Sequence, residues 1–428
     1  MSREMKDSGI EWIGKIPEDW EVVKLGVVAD ISTGNTPKDP DNIKYSKSEG
    51  VDWLKTNNLL GVDGVSNSSL KIKEQYISEA RLTNPRSVLI TCIGDIGKLG
   101  YISKPVAFNQ QINSITFTKD IVYWKYGMYA LYSQREQQES FANGNVLKIL
   151  NRENQKKVVI TVPKDINKQI KISNALDKMC LYIRKLVDKT QLSIKELKKY
   201  KQSLITESVT KGIDPNVEMK DSGIEWVRDV PKNWEVKPIK YSVNERKEQL
   251  NSQMNPYDEI NYVDISSVSY AKGVEKIESL KFKDAPSRAR KIVYHNDIII
   301  STVRTYLKSI DRINYNIPLI VSTGFCVLKP RNHISANFLE YAIKSDYFTN
   351  QVEQFSTGIA YPSITSRALL SLNFIEPPLN EQQEIFKYLN DKVDTIDRLI
   401  EDKTKVVEEL ENYKNSLIYE YVTGKKEV

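Results

Sequence analysis

The sequence predicts an α+β protein in which two pseudo-symmetric, strand-rich globular domains are separated by two long helices that form an antiparallel coiled coil. Three observations predict this fold: an internal repeat, short β-branched and aromatic runs broken by Gly, Asn and Pro, and two helical heptad patterns. At roughly 100 to 200 residues per domain, 428 residues suffice for two to four units.

The repeat is carried by residues 5–12 (MKDSGIEW), which recur unchanged at residues 219–226. The offset is 219 − 5 = 214, half of the 428 residues. Further along, the pattern YKxSLI at residues 200–205 returns at residues 413–418. Because such ordered matches at almost the same spacing do not arise by chance, the chain is two copies of one unit.

Each copy ends in a long segment whose apolar residues are spaced four and three apart, as in a heptad seam. The predicted seam residues are Ile172, Leu176, Met179, Ile183, Leu186, Leu197, Leu204, Val393, Ile396, Ile400, Val407, Leu410 and Leu417. Gly212 and Gly424 stand where a left-handed C-terminal helix cap belongs. The predicted domains are residues 1–163, a first strand-rich domain; 164–212, a helical spacer; 213–378, a linker and second strand-rich domain; and 379–428, a second helical spacer.

The two helical segments have diverged to opposite charge. Residues 164–212 contain 12 basic and 5 acidic side chains, whereas residues 379–428 contain 8 basic and 12 acidic ones. Flanking charges govern partner choice in coiled coils, so this difference favours pairing within one chain. The alternative is that these charges belong only to solvated helix faces.

Composition restricts the class of protein. With 40% hydrophobic and 28% charged residues, the chain is expected to fold rather than remain disordered. It has no apolar run near the ~20 residues that span a bilayer, and we expect no secretory signal because its first residues are polar. Cys92, Cys180 and Cys326 lie far apart and predict no disulfide framework, so we expect a cytoplasmic protein.

Catalytic motifs are poorly represented. The two histidines, His295 and His333, have no second His or Cys at metal-ligand spacing. The sequence GDIGK at residues 94–98 lacks the spacing of a phosphate-binding loop, so we interpret it as a hairpin turn. Asn255-Pro256-Tyr257 is interpreted as a turn because no glycine-rich cofactor loop accompanies it. We therefore expect no enzyme activity, no bound cofactor and no metal for this chain alone.

Loops in both halves combine basic residues with Asn, Gln, Ser, Thr and Tyr, the residue types that contact phosphates and base edges in DNA. The first-half candidates are Asn35, Thr36, Lys38, Lys55, Asn57, Asn58, Asn109, Gln110, Asn143 and Asn145. The second-half candidates are Arg288, Arg290, Lys291, Arg304, Tyr306, Lys308, Tyr361 and Ser363. Any one of these loops could equally be ordinary polar surface; Arg288, Arg290 and Arg304 lie in the most basic region.

Several motifs resemble those of the specificity (S) subunit of type I restriction-modification enzymes, along essentially the whole chain. They are IPEDW at residues 16–20 with VPKNW at 230–234, ISTGNTP at 31–37, and STG at 356–358 followed by PPLNEQQ at 377–383. The first half departs from the pattern, with NGN at 143–145 and VPKD at 162–165.

The resemblance implies two target-recognition domains that each read one half of a bipartite double-stranded DNA sequence, with a helix pair that sets the gap. It implies two methyltransferase (M) subunits that use S-adenosylmethionine on flipped adenines, and two restriction (R) subunits that use ATP and Mg. The S subunit itself would be non-catalytic and would have no membrane partner. Two alternatives are a coiled-coil scaffold without sequence-specific DNA binding and an enzyme with an unfamiliar site. A DNA-binding protein differs from the scaffold in the steep salt dependence of its DNA affinity.

Overall fold

The computed structural model describes residues 4–39, 43–118, 121–251 and 253–428. Its contacts divide the chain into two compact units, Met1–Gln191 with Lys405–Val428 (unit 1) and Leu192–Thr404 (unit 2). Each unit holds a strand-rich domain and part of two long helices, which confirms the predicted fold class. The division between the compact units falls inside both helices, and the domain boundaries given above remain predictions.

Unit 1 contains twelve short strands and four short helices among its described residues. The strands are β1 (Met5–Asp7), β2 (Lys15–Pro17), β3 (Trp20–Lys24), β4 (Ala29–Thr33), β5 (Tyr45–Ser46), β6 (Val51–Leu54), β7 (Lys71–Ile72), β8 (Val88–Thr91), β9 (Leu99–Tyr101), β10 (Ala107–Phe108), β11 (Ile112–Phe117) and β12 (Val159–Pro163). The helices are α1 (Leu25–Val28), α2 (Trp124–Tyr132), α3 (Arg135–Ser140) and α4 (Arg152–Gln155), and the long helix α5 (Ile166–Lys211) follows.

Two four-stranded sheets form the core of this domain. One is antiparallel with the order β4-β11-β8-β9; the other has the order β10-β6-β7-β5 and contains a parallel pair, β10 and β6. All four residues of β8 are buried, because both faces of this central strand are covered. The predicted turn at residues 94–98 joins the antiparallel strands β8 and β9, so the interpretation as a hairpin is confirmed.

Unit 2 repeats this arrangement. Its strands are β13 (Met219–Asp221), β14 (Asp229–Pro231), β15 (Glu235–Pro238), β16 (Val243–Glu245), β17 (Glu259–Val263), β18 (Val268–Ser269), β19 (Gly273–Val274), β20 (Glu278–Lys281), β21 (Ala289–Val293), β22 (Ile298–Ser301), β23 (Ile310–Arg312), β24 (Leu319–Ser322), β25 (Phe325–Pro330) and β26 (Asn373–Glu376). Its helices are α6 (Ala336–Lys344), α7 (Asp346–Gln354) and α8 (Ser366–Leu369), followed by the long helix α9 (Leu379–Val422).

The sheets of unit 2 match those of unit 1 strand for strand at their centres. The sheet β16-β25-β22-β23 is the counterpart of β4-β11-β8-β9, and β20-β17-β24-β21 again contains a parallel pair, β17 and β24. The two units share the topology of their central sheets but differ in loop sequence. The strand framework was therefore preserved after the duplication, whereas the loops attached to it diverged.

Helices α5 and α9 have 46 and 44 residues. Helices of these lengths span about 69 and 66 Å at 1.5 Å per residue. In unit 1 the first part of α5 shares a core with the end of α9; in unit 2 the end of α5 shares one with the start of α9. The two helices are therefore packed in antiparallel order. Every predicted seam residue is buried or half-buried, and Lys201 pairs with Asp397 across the helices at 2.6 Å.

Among the described residues, no helix is sufficiently long and apolar to cross a membrane.

A buried glutamine fixes the start of each long helix. In unit 2, the side-chain amide of Gln382 donates to the carbonyls of Pro377 (2.8 Å) and His333 (3.1 Å) and accepts from the Ser335 N–H (2.8 Å). In unit 1, Gln169 donates to the Pro163 and Ile121 carbonyls and accepts from the Tyr123 N–H. Each amide joins the long helix to the end of a strand and to the approach of a short helix.

We predict that Gln382→Leu destabilises unit 2, by about 1–3 kcal/mol for each buried polar group that it leaves without a partner. Gln383→Leu is the matched control, since the neighbouring Gln383 is exposed on the same helix. Differential scanning calorimetry of the purified chain should show a lower transition temperature for Gln382→Leu only. Equal losses in the two variants would contradict the role given to Gln382.

Candidate nucleic-acid interface

The parallel pairing of β6 and β10 brings three candidate loops of unit 1 to one edge. The Asn109 N–H donates to the Leu54 carbonyl, and the Asn35 N–H donates to the Phe108 carbonyl, both at 3.0 Å. A Cβ on Gly34 would stand 2.2 Å from the Phe108 oxygen, so only glycine allows this approach. Residues 34–38, 55–58 and 109–111 therefore form one continuous polar rim.

Within this rim the candidates differ in exposure. Five side chains are exposed: Thr36, Lys38, Lys55, Asn57 and Gln110. The Lys55 ammonium lies 5.0 Å from the centre of the Trp53 ring, which directs it along the rim. Thr36 donates to the Gln110 side chain and links two of the loops. The half-buried Asn35 bonds to the backbone of Glu79 and Arg81 at 2.7 Å each.

Asn58 and Asn109 are buried, and their side chains bond within the loops. The Asn58 side chain accepts from the Lys55 N–H (2.9 Å) and donates to Ser66 Oγ and to the Asn67 carbonyl, both at 3.1 Å. Asn109 donates to the side chain of Gln111 at 3.0 Å. In this structure both residues shape the rim. Sequence composition alone could not distinguish them from their exposed neighbours.

The remaining first-half candidates, Asn143 and Asn145, are exposed on a second loop, residues 143–149. Cys92 connects this loop to the rim: its N–H donates to the Gln111 carbonyl and its carbonyl accepts from the Leu150 N–H, both at 2.8 Å. All ten candidates of the first half thus lie along connected strand ends.

Unit 2 also assembles its eight candidates along connected strand ends. The Thr323 N–H donates to the Arg288 carbonyl, the Thr302 N–H to the Gly324 carbonyl and the Ile364 N–H to the Thr302 carbonyl, at 2.8 to 2.9 Å. These bonds join the three candidate groups 288–291, 304–308 and 361–363 at the ends of β21, β22 and β25.

Some basic side chains of this second rim bond within the protein. Lys291 Nζ donates to the Phe325 carbonyl at 2.6 Å, and Lys308 Nζ lies 3.5 Å from Glu353 Oε1. Arg290 lies over the Phe282 ring and donates to the Ala289 carbonyl. By contrast, Arg288 and Arg304 are exposed and make no ion pair with any carboxylate of the described residues.

The other three candidates of the second rim differ in solvent exposure. Tyr306 and Tyr361 are exposed, whereas Ser363 is half-buried and pairs through its backbone with Thr357.

A tyrosine and an aspartate that the sequence analysis did not select also lie by the second rim. Tyr262 donates to Asp264 at 2.8 Å, and burial together with Asp264 raises the pKa of Tyr262 to about 12. Burial opposes ionisation of Asp264, but hydrogen bonds from Ser266 and Tyr262 outweigh it and lower its pKa. Near neutral pH this pair therefore combines a neutral phenol with a carboxylate.

The sequence analysis also did not select two apolar residues at loop tips. Val146 and Ile359 are fully exposed at the tips of residues 143–149 and 357–363. Their residue type suggested burial, and only the alignment of the two repeats would have placed them on equivalent loops.

Two features of the described residues bear on metal binding and on thiol reactivity. Among the described residues, no group of three or more His, Cys, Asp and Glu side chains could hold a metal ion. Burial raises the pKa of Cys92, Cys180 and Cys326 to about 11, so these thiols are protonated near neutral pH and are poor nucleophiles. The exposed lysine, arginine and amide side chains of the rims are suited to a polyanionic surface.

The fold and the two rims define a class: duplicated recognition proteins whose two strand-rich domains are carried on a pair of long helices. Within that class, the model of the type I restriction modification DNA specificity domain matches residues 17–199 and 231–409, and the chain belongs to this family. It is a specificity subunit with two target-recognition domains, the non-catalytic component of a type I restriction-modification enzyme, which binds no cofactor itself.

Two relatives from Methanocaldococcus jannaschii resemble the chain along its length. The type I restriction enzyme MjaVIII specificity subunit is 26% identical, over 96% of this chain and 94% of the relative. The putative type I restriction enzyme MjaX specificity subunit is also 26% identical, over 96% and 95%.

Solved structures agree on the fold. A chain from a study of complex assembly and conformational transition of the type I R-M system superimposes with a TM-score of 0.73 at 14% identity, covering 96% of this chain and 99% of that one. The HsdS subunit from Thermoanaerobacter tengcongensis superimposes with a TM-score of 0.52, also at 14% identity, over 96% and 98%.

We predict that Asn58→Ala lowers the free energy of unfolding by about 1–3 kcal/mol, because buried partners lose their hydrogen bonds. Asn57→Ala removes an exposed neighbour and should change it by less than about 0.5 kcal/mol. Thermal unfolding followed by circular dichroism separates the two. A destabilisation by Asn57→Ala as large as that by Asn58→Ala would disprove the structural role of Asn58.

Proposed function

We propose that each target-recognition domain reads one half of a bipartite DNA sequence through the major groove. The observation that carries this proposal is the presence of one polar and basic rim of connected strand ends on each copy of the framework, with different side chains on the two rims. The exposed residues of the first rim are mostly amides and lysines, whereas arginines and tyrosines are prominent in the second. Two different rims on one duplicated framework suit two unlike half-sites.

We also propose how the rim residues divide their roles. The exposed Lys38, Lys55 and Arg288 are suited to phosphate contacts, which supply salt-dependent affinity and position the domain. Asn57, Gln110, Asn145 and Arg304 carry the donors and acceptors that distinguish base edges. The buried Asn58 and Asn109 support the loops of the first rim.

The helix pair is proposed to set the gap between the half-sites. Helices about 69 and 66 Å long are long compared with the ~34 Å that separates successive major-groove sites on one face of the duplex. Their antiparallel packing suits a spacer role. The opposite charges of the two helices favour pairing with each other over pairing between chains.

The catalytic steps are proposed to belong to partner subunits. Two methyltransferase subunits would use S-adenosylmethionine to methylate flipped adenines, and two restriction subunits would add ATP- and Mg-dependent translocation and cleavage. Because its DNA target and its partners are cytoplasmic, we propose that the chain acts in the cytoplasm.

Deleting the gene should abolish N6-methyladenine at one two-part motif with a fixed gap. The expectation follows because the partner methyltransferases would lose their only sequence-reading component. Long-read sequencing of the parent and deletion strains measures the change, and restoring the gene is the control. An unchanged methylome in a strain with active partner subunits would contradict the proposed function and favour a scaffold without sequence-specific DNA binding.

Lengthening both helices should widen the gap. Insertion of seven residues after Gln191 and after Thr404, where the two compact units divide, adds about 10.5 Å at 1.5 Å per residue. That length corresponds to at most about three base-pair steps of ~3.4 Å. We expect methylation at the same two half-sites with a gap wider by one to three base pairs.

The control is two insertions of seven residues in the exposed linker between α5 and β13, which leave the length of both helices unchanged. If the helix insertions altered a half-site while the gap stayed the same, the spacer hypothesis would be wrong.

A further inference from the structure

The two domains carry equivalent pairs of loops at the ends of their central strands. In unit 1, the turn after β8 pairs with residues 143–149 through a bridge between Ile93 and Ile149. In unit 2, the turn after β22 pairs with residues 357–363 through a bridge between Val303 and Ser363. Leu150 and Ile364 donate to the equivalent Cys92 and Thr302 carbonyls, but inside the turn the donor to the facing loop is the Gly94 N–H in unit 1 and the Thr305 N–H in unit 2. Gly94 and Arg304 are compared because each directly follows the bridged residue and each has a left-handed φ.

One pair of facing positions differs in a chemically informative way. In unit 1 these positions hold Gly94 and Leu147, and a Cβ added at Gly94 would lie 3.9 Å from Leu147 Cδ1. In unit 2 they hold Arg304 and Tyr361, with the guanidinium carbon 5.4 Å from the centre of the ring. Both members of the pair differ between the units: a glycine and an apolar side chain in unit 1, a cationic and an aromatic side chain in unit 2.

The Arg304 backbone is held in a conformation that favours glycine. Its φ is +50°, while Gly94 at the equivalent position has φ +83°. A side chain other than that of glycine is disfavoured in this left-handed region. Lys308 is also left-handed, at φ +49°, but its ammonium contacts Glu353 and Thr349 within the domain. The Arg304 side chain has no such internal use, since it is exposed and touches only the Tyr361 ring among the described polar and aromatic contacts.

We infer that Arg304 reads a guanine in the half-site bound by the second target-recognition domain, an inference that rests on the proposed function. The guanidinium edge would donate two hydrogen bonds to O6 and N7 of the guanine in the major groove, the most common specific contact between a protein and DNA. Tyr361 stacks on the face of the guanidinium, so the N–H edge of Arg304 stays available to donate to the guanine. Stacking also restricts the side chain before binding, which reduces the entropy lost on contact.

The first domain has no donor at this position. Gly94 has no side chain, and the facing loop presents Leu147 beside the fully exposed Val146. The two half-sites therefore differ at the base pair that meets this loop pair, and only the second one requires a guanine there.

The test replaces Arg304 at the chromosomal locus and maps N6-methyladenine in cells that contain the complete enzyme. With wild-type protein the motif should contain a G·C pair in the half-site read by unit 2. Arg304→Gly should relax that one position, with a loss of preference of about 5- to 150-fold as expected for one bidentate contact. The other half-site and the gap should not change. Arg304→Lys should relax it as well, because an ammonium lacks the fork that matches both acceptors.

Arg228 provides the matched control. It is exposed, has φ +64°, and corresponds in the repeat to Gly14 at φ +69°. Arg228→Gly therefore makes the same change of charge and backbone strain away from the loop pair, and it should leave the motif intact. Thermal unfolding of the purified chains should show that neither glycine variant is less stable than the wild type.

Three results would overturn the inference. A motif without a G·C pair in the second half-site would exclude it. If Arg304→Gly reduced methylation equally at all sites and left the motif unchanged, Arg304 would be a phosphate contact and the inference would be wrong. Retention of full preference by Arg304→Lys would also exclude a bidentate contact. If instead no motif depends on the gene at all, the proposed function fails, and that outcome is distinct from these three.

Discussion

The position of each long helix depends on one buried amide. Gln169 and Gln382 each use two donors and one acceptor on backbone groups of the adjoining domain, and neither side chain is exposed to solvent. A buried amide that lost these partners would leave several backbone groups unsatisfied, so alternative helix positions are strongly disfavoured. Because the helix start is fixed relative to the last strand and to a short helix, the strand ends on each domain are also fixed relative to the helix.

The same strand ends determine where the loops stand. Parallel pairing of β6 with β10, and of β17 with β24, brings loops that are distant in sequence to one edge of each domain. Close backbone approaches such as Gly34 to Phe108 then hold these loops together without any contribution from the exposed side chains. The exposed residues can therefore vary while the fold is preserved, which is the property that a recognition protein with exchangeable targets requires.

Sequence patterns predicted the duplication and the long helices, because a repeated octapeptide and a heptad rhythm are local features. They could not predict the parallel strand pairs, since pairing between distant strands depends on tertiary contacts. They also could not separate Asn57 from Asn58, or Arg304 from Lys308. Residue type is the same or similar in each pair, and only burial and internal hydrogen bonds show which side chain is available. Val146 and Ile359 were missed because apolar residues are ordinarily expected inside.

Comparison of the two halves separates residues that maintain the shared fold from residues whose presence the fold does not explain. Gln169 and Gln382 occupy equivalent places and make equivalent bonds, as a structural role demands. Gly94 and Arg304 each directly follow the bridged residue of their turn, yet one has no side chain and the other combines a guanidinium with an unfavourable backbone angle. Among the described polar and aromatic contacts, the Arg304 guanidinium meets only the Tyr361 ring, and both side chains are exposed. Arg228 is also exposed at φ +64°, so the backbone angle alone does not indicate a ligand contact; the Tyr361 ring beside the guanidinium is what supports the DNA contact proposed for Arg304.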